Sequence, residues 1–216
     1  MLHTRIAAAA ITLAAALLPD AHAGEVYANL GFPGVMLGYA HPLSENFTLR
    51  GDLATLGNRS REYTEEGILY QGKLKATRGA LLADWYPFSG TFRFTLGATS
   101  NNYQHDLSAS GAGGTLTIGN TTYTTTANDR FDVQIKFPKT TPYLGLGWGH
   151  QLGEGFRFSA DVGAMFGKAK LTSRVTGPAA AQVTQADIDA ETAELRDGVG
   201  KVRWLPQITF GIGYSF

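Results

Sequence analysis

KVRWLPQITFGIGYSF, residues Lys201 to Phe216, is the stretch whose reading decides the fold. Counting back in twos gives Phe216, Tyr214, Ile212, Phe210, Ile208, Pro206, Trp204 and Val202, while Ser215, Gly213, Gly211, Thr209, Gln207, Leu205, Arg203 and Lys201 lie between them. Side chains alternate faces along a strand, so this segment is oily on one side and small or polar on the other. A strand so long, with its aromatic side kept to one face and Phe216 last, fits an outer-membrane barrel, where lipid lies outside and a polar interior inside.

The same alternation recurs upstream. FTLRGDLAT sets Phe47, Leu49 and Leu53 against Thr48, Arg50, Asp52 and Ala54. The stretch from Lys73 to Tyr86, which runs into ALLADWYPF, sets Leu81, Ala83 and Trp85 against Arg78, Leu82, Asp84 and Tyr86. FRFTLGATSN, PYLGLGWGH and FRFSADVGAMFG repeat it from Phe92, Pro142 and Phe156. With EVYANLG after Gly24 and GVMLGYAH after the turn at Phe32-Pro33-Gly34, the spacing predicts eight antiparallel strands. Tight turns fall at 41–46, 87–91 and 152–155, and longer connections at 57–72, 103–141 and 168–200, with the short 32–34 turn as the exception. Tight turns belong at the periplasmic rim and long loops outside the cell. Residues 57–72 read as a polar loop, TLTIGNTTY as a small hairpin turned at Gly119-Asn120, and 184–196 as a short acidic helix with Thr184 as N-cap and Gly198 as stop.

The N-terminus predicts export. Arg5, an apolar run from Ile6 to Leu18 and the small-x-small site Ala21-His22-Ala23 form a secretory signal peptide over 1–23, leaving a barrel over 24–216. Acidic and basic residues are equal at 18 each, which gives no charge-driven case for nucleic acid. Cysteine is absent, so disulfides, thiolate metal sites and an acylated lipoprotein anchor are excluded, and no cofactor is implied.

Across 84–88 (DWYPF), 92–102 (FRFTLGATSNN), 142–149 (PYLGLGWG), 156–167 (FRFSADVGAMFG) and the terminal GIGYSF, the chain resembles the small outer-membrane β-barrels of the OmpW and OmpA transmembrane-domain kind, and most closely a proteobacterial group of such proteins. The resemblance implies the bacterial outer membrane, and the expected form is a monomer in contact with its lipid and lipopolysaccharide. It also implies the barrel-assembly machinery as a partner in biogenesis, reading a terminal signal formed by Phe210, Ile212, Tyr214 and Phe216. Barrels of this shape host pores, lipid-modifying enzymes and anchors, so activity has to come from the site.

The inward faces collect Glu25, Arg50, Asp52, Arg78, Asp84, Arg93, Arg157 and Asp161. Charges of both signs in a lumen only wide enough for side chains must pair, which predicts a salt-bridged plug and a surface role for the loops. One alternative is a narrow, Arg-lined, OmpW-like channel for small molecules. Another is a lipid A-modifying enzyme, for which His105 with Asp106 and Ser108 is the set to inspect; His41 and His150 read as ordinary rim histidines. The carboxylates at Asp187, Asp189, Glu191, Glu194 and Asp197 read as a solvated helix face, with a divalent-cation site or a mouth cap through Ile188 and Leu195 as alternatives.

Overall fold

A backbone that crosses lipid must pair all its polar groups within the protein, and for strands that means closing the sheet on itself. The computed structural model describes residues 24–65, 68–110, 114–150, 153–198 and 203–216; the expected signal peptide lies outside them. In chain order the strands are β1 (Glu25–Phe32), β2 (Gly34–Ser44), β3 (Phe47–Glu65), β4 (Ile68–Trp85), β5 (Phe92–Ser110), β6 (Thr115–Ile118), β7 (Thr121–Thr124), β8 (Arg130–Lys136), β9 (Thr140–Trp148), β10 (Gly155–Phe166), β11 (Lys170–Thr176) and β12 (Trp204–Ser215). Helix α1 (Gln185–Gly198) precedes β12.

The ring runs β1-β2-β3-β4-β5-β9-β10-β12 and closes from β12 back to β1, every pair antiparallel. These are the eight strands expected from the alternation. The seam is finished by reciprocal backbone bonds in which Gly24 N donates to Phe216 O at 3.0 Å and Phe216 N donates to Gly24 O at 2.9 Å.

Outside the ring the face is apolar, and rings gather at its ends: Trp85, Phe92, Phe94, Trp148, Phe156 and Tyr214 at the end that holds both termini, Phe32, Phe166 and Trp204 at the other. Phe156 and Phe158 are 83% and 85% exposed, which a soluble protein would not sustain beside so many other bare apolar side chains but a bilayer covers.

The long connections are more ordered than the sequence suggests. Residues 57–65 and 68–72 are not a polar loop; β3 and β4 stay paired as far as Glu65 and Ile68, with a bulge between Thr55 and Gly57 where they leave the barrel. β5 likewise continues to Ser110, pairing with β9 in its lower half and β8 in its upper half. β11 then pairs with β8. The upper parts of β3, β4 and β5 together with β8 and β11 therefore form a five-stranded wall standing above one side of the barrel. The expected hairpin at Gly119-Asn120 is present as β6 and β7.

Candidate functional site

Strand parity delivers the lumen side chains to one another, and the register sets their heights. In the middle layer, β3 contributes Arg50, β4 Asp84, β5 Arg93 and Thr95, and β10 Asp161. Arg50 Nε lies 2.5 Å from Asp84 Oδ2, a charge contact rather than an aligned hydrogen bond. Arg50 Nη2 donates to Asp84 Oδ1 and to Asp161 Oδ1, each at 3.1 Å. Arg93 Nη2 donates to the same Asp161 oxygen at 2.7 Å, and its Nε stands 3.4 Å from Asp84 Oδ2. Thr95 Oγ1 donates to Asp84 at 2.7 Å, and Arg93 Nη1 donates to the Gly149 carbonyl at 2.9 Å. Two guanidinium groups and two carboxylates thus bridge four strands, with side chains at most 3% exposed.

Toward the wall a second layer joins Arg78 to both Asp52 and Gln207. Tyr27 OH donates to the other Asp52 oxygen at 3.3 Å. Toward the termini a third layer holds Glu25, whose Oε1 is 2.7 Å from His150 Nδ1 and whose Oε2 accepts from Ser215 Oγ at 3.4 Å. Arg157, half-buried, acts electrostatically on Glu25. The eight predicted lumen residues are four cations and four carboxylates, so the interior set carries no net formal charge. Arg50 and Arg93 share Asp84 and Asp161, whereas Asp52 is taken by Arg78.

Bare backbone opposite makes room for these long side chains. A Cβ on Gly147 of β9 would sit 2.7 Å from Arg93 Cζ, so the guanidinium occupies the place of a side chain on that strand.

His150 corrects the sequence reading. It is not a rim residue on the surface but 1% exposed inside the lumen, its ring centroid 4.3 Å from that of Tyr27. Parity from Trp148 places it on the outer face. Gly149 at φ 94° and His150 at φ 62° are both left-handed, and that turn swings the ring inward. His41 does stay outside, exposed beside Tyr39.

The proposed nucleophile set does not assemble. β5 runs straight through residues 105–108, so His105 points to the opposite face from Asp106 and Ser108. Asp106 instead accepts from Gln104 Nε2 and from Gln134 Nε2 at 2.7 Å.

The acidic helix is docked rather than free. Thr184 Oγ1 accepts from Asp187 N at 3.2 Å, the N-cap expected of it. Asp187 also accepts from Thr121 Oγ1 at 2.9 Å and Tyr123 OH at 2.6 Å, and Glu191 Oε2 accepts from Gly119 N at 2.9 Å. The hydrogen bonds from Thr184, then Tyr123 and Thr121, hold the Asp187 carboxyl below the usual carboxylate range. Thr192 meets Ser173 of β11, on the face of the wall that continues the lumen side. Among the described residues no group of three potential ligands is placed to hold a metal ion.

The sequence matches no protein-family model and no curated protein. Its fold has solved counterparts. Acinetobacter baumannii CarO is similar at a TM-score of 0.56 and 19% identity, covering 89% of this chain and 97% of that one. Acinetobacter baumannii CarO2 is similar at a TM-score of 0.58 and 16% identity, covering 90% and 98%. A major outer membrane protein of Thermus thermophilus is similar at 0.46 and 15%, covering 91% and 100%. At such identities the likeness to the two CarO proteins is one of fold, and it agrees with the ring, the apolar outer face and the girdles: this chain is a small outer-membrane β-barrel.

Proposed function

We propose that the protein is a monomeric resident of the bacterial outer membrane whose lumen is closed and whose role is carried by the wall, hairpin and helix on the extracellular side. The observation that carries this reading is the quartet of Arg50, Arg93, Asp84 and Asp161, buried across the middle of the ring with each carboxylate shared by both cations. A conducting path needs water beside its charges. Here guanidinium and carboxylate groups solvate one another and fill the cross-section that eight strands enclose.

The test is single-channel conductance of the purified protein in a planar bilayer. The parent is expected to pass no steady current, and Arg93→Ala to introduce leak by emptying the space opposite Gly147. A steady parental current whose ion selectivity changes on Arg93→Ala would instead make this a narrow channel of the OmpW kind.

A further inference from the structure

The chain has seven lysines, and six of them, Lys73, Lys75, Lys136, Lys139, Lys168 and Lys170, are exposed on one flank of the described structure. Five of them, all but Lys73, mark one level, and Lys73 stands one row above. Lys136 and Lys139 flank the break between β8 and β9, Lys168 and Lys170 flank that between β10 and β11, and Lys75 pairs with Asn58, just above the β3 bulge. Those three irregularities are where the barrel gives way to the wall. Lys168 follows the lipid-facing Phe166 by two residues, so the lysines begin where the apolar belt stops.

The register makes a row of three of them. Lys75 stands opposite Gln104, Gln104 opposite Lys136, and Lys136 opposite Lys170. Parity from Phe94 and Leu96 through Gln104 places this row on the outward face, toward the surrounding leaflet. Lys136 and Lys170 are neighbours at one strand spacing, roughly 4.8 Å, and like charges directly opposite repel. The row itself contains no carboxylate, and none of its lysines forms an ion pair with a described residue. On the same face the acids Asp106, Asp132 and Glu62 lie in the rows above, and Asp106 is engaged by Gln104 and Gln134.

Immediately above the row a polar cleft of about 610 Å³ opens on the same face, lined by Lys73, Asp106, Ser108, Asp132, Gln134 and Arg174. Its volume is in the range of small-ligand sites, and its lining of donors and acceptors suits hydroxyl groups.

We infer that this flank is a binding site for the phosphorylated sugar headgroup of an outer-leaflet glycolipid, with phosphate on Lys75, Lys136 and Lys170 and saccharide in the cleft. The inference rests on the outer-membrane reading above. It explains why repelling lysines are set side by side at this height: the anion they need is supplied by the leaflet. Cations close to an anionic membrane surface contribute roughly fivefold each to association, so three together amount to about a hundredfold, and the effect weakens as salt screens it.

The test uses protein purified from membranes and reconstituted in phosphatidylcholine vesicles, with lipid A carrying its phosphates and lipid A stripped of them as the two probes. Retention of each is compared for the parent and for a variant carrying Lys75→Gln, Lys136→Gln and Lys170→Gln. A gel-mobility shift between heated and unheated samples reports whether each barrel is folded. The parent is expected to retain phosphorylated lipid A about a hundredfold better than the folded variant, and to retain the dephosphorylated form weakly. Equal retention by parent and variant, or of both lipid A forms by the parent, overturns this inference and leaves the barrel reading standing. So does displacement of lipid A by equimolar inorganic phosphate, which would mark a site for free phosphate. Failure of the parent to insert at all overturns both.

Discussion

Asp161 is the residue on which the lumen turns. Its Oδ1 accepts from both Arg50 and Arg93, at 3.1 and 2.7 Å, while each cation also reaches Asp84. Removing one carboxylate therefore leaves two buried guanidinium groups to share a single counter-charge. Breaking a buried pair from one side is far more costly than removing both partners, because the survivor stays desolvated. Asp161→Ala is expected to lower the unfolding free energy in detergent by about 3–5 kcal/mol, followed by tryptophan fluorescence in urea. Adding Arg93→Leu should recover part of that loss, a coupling that a double-mutant cycle measures. Gly147→Leu tests the same layer from the opposite wall. Its side chain would compete with the Arg93 guanidinium for one space, at an expected cost of about 1–3 kcal/mol from overpacking.

The elements that the sequence disclosed and those it hid are separated by a change of solvent. Within the bilayer, contrast between faces is maximal, as in Phe92, Phe94 and Leu96 against Arg93 and Thr95, and such strands are legible from period alone. Above it the outer face turns from lipid to water. In β3 and β4 the outward residues become Asn58, Ser60, Lys73 and Lys75, and the contrast that reveals a strand fades. In β8 it inverts, with Phe131, Val133 and Ile135 toward the lumen side and Asp132, Gln134 and Lys136 outward. A period-two signal of reversed polarity was present in RFDVQIK, inside a stretch whose Ser, Thr and Gly content reads as loop. The lumen residues were legible as a set, since parity alone collects them. Their partners were not, because which cation meets which carboxylate depends on register and height. His150 was hidden by two left-handed residues that no alternation registers.

Helix α1 was legible from its cap, but its docking was not. Thr184 and Asp187 mark the start in sequence, whereas Thr121 and Tyr123 are brought to Asp187 only by the fold. Because folding lowers the Asp187 pKa, the carboxylate contributes stability wherever it is ionised in both states. That stability persists through neutral pH and is lost as the pH falls below the usual carboxylate range through the lowered value. Asp187→Ala removes an N-terminal helix contact and the hairpin anchor together. Amide exchange in 185–198 should accelerate by roughly tenfold at neutral pH, while the barrel strands stay protected.

For the molecule as a whole the decisive event is closure, and it falls to the last strand, β12. β12 pairs with β10 over its full length and with β1 along Glu25–Phe32, and the seam ends in the two backbone bonds between Gly24 and Phe216. Phe216 therefore has two separable parts. Its backbone closes the ring, while its side chain, with Phe210, Ile212 and Tyr214, is the proposed signal to the barrel-assembly machinery. Phe216→Ala keeps the closing bonds and removes the aromatic side chain. It is expected to refold into short-chain lipid vesicles about as fast as the parent, yet to accumulate in cells at several-fold lower levels in the folded, mobility-shifted form. Deleting Phe216 removes the bonds as well and should slow unassisted refolding too. If Phe216→Ala impaired vesicle folding as much as cellular assembly, the side chain would be serving closure, and the strand would carry no separate assembly signal at that position.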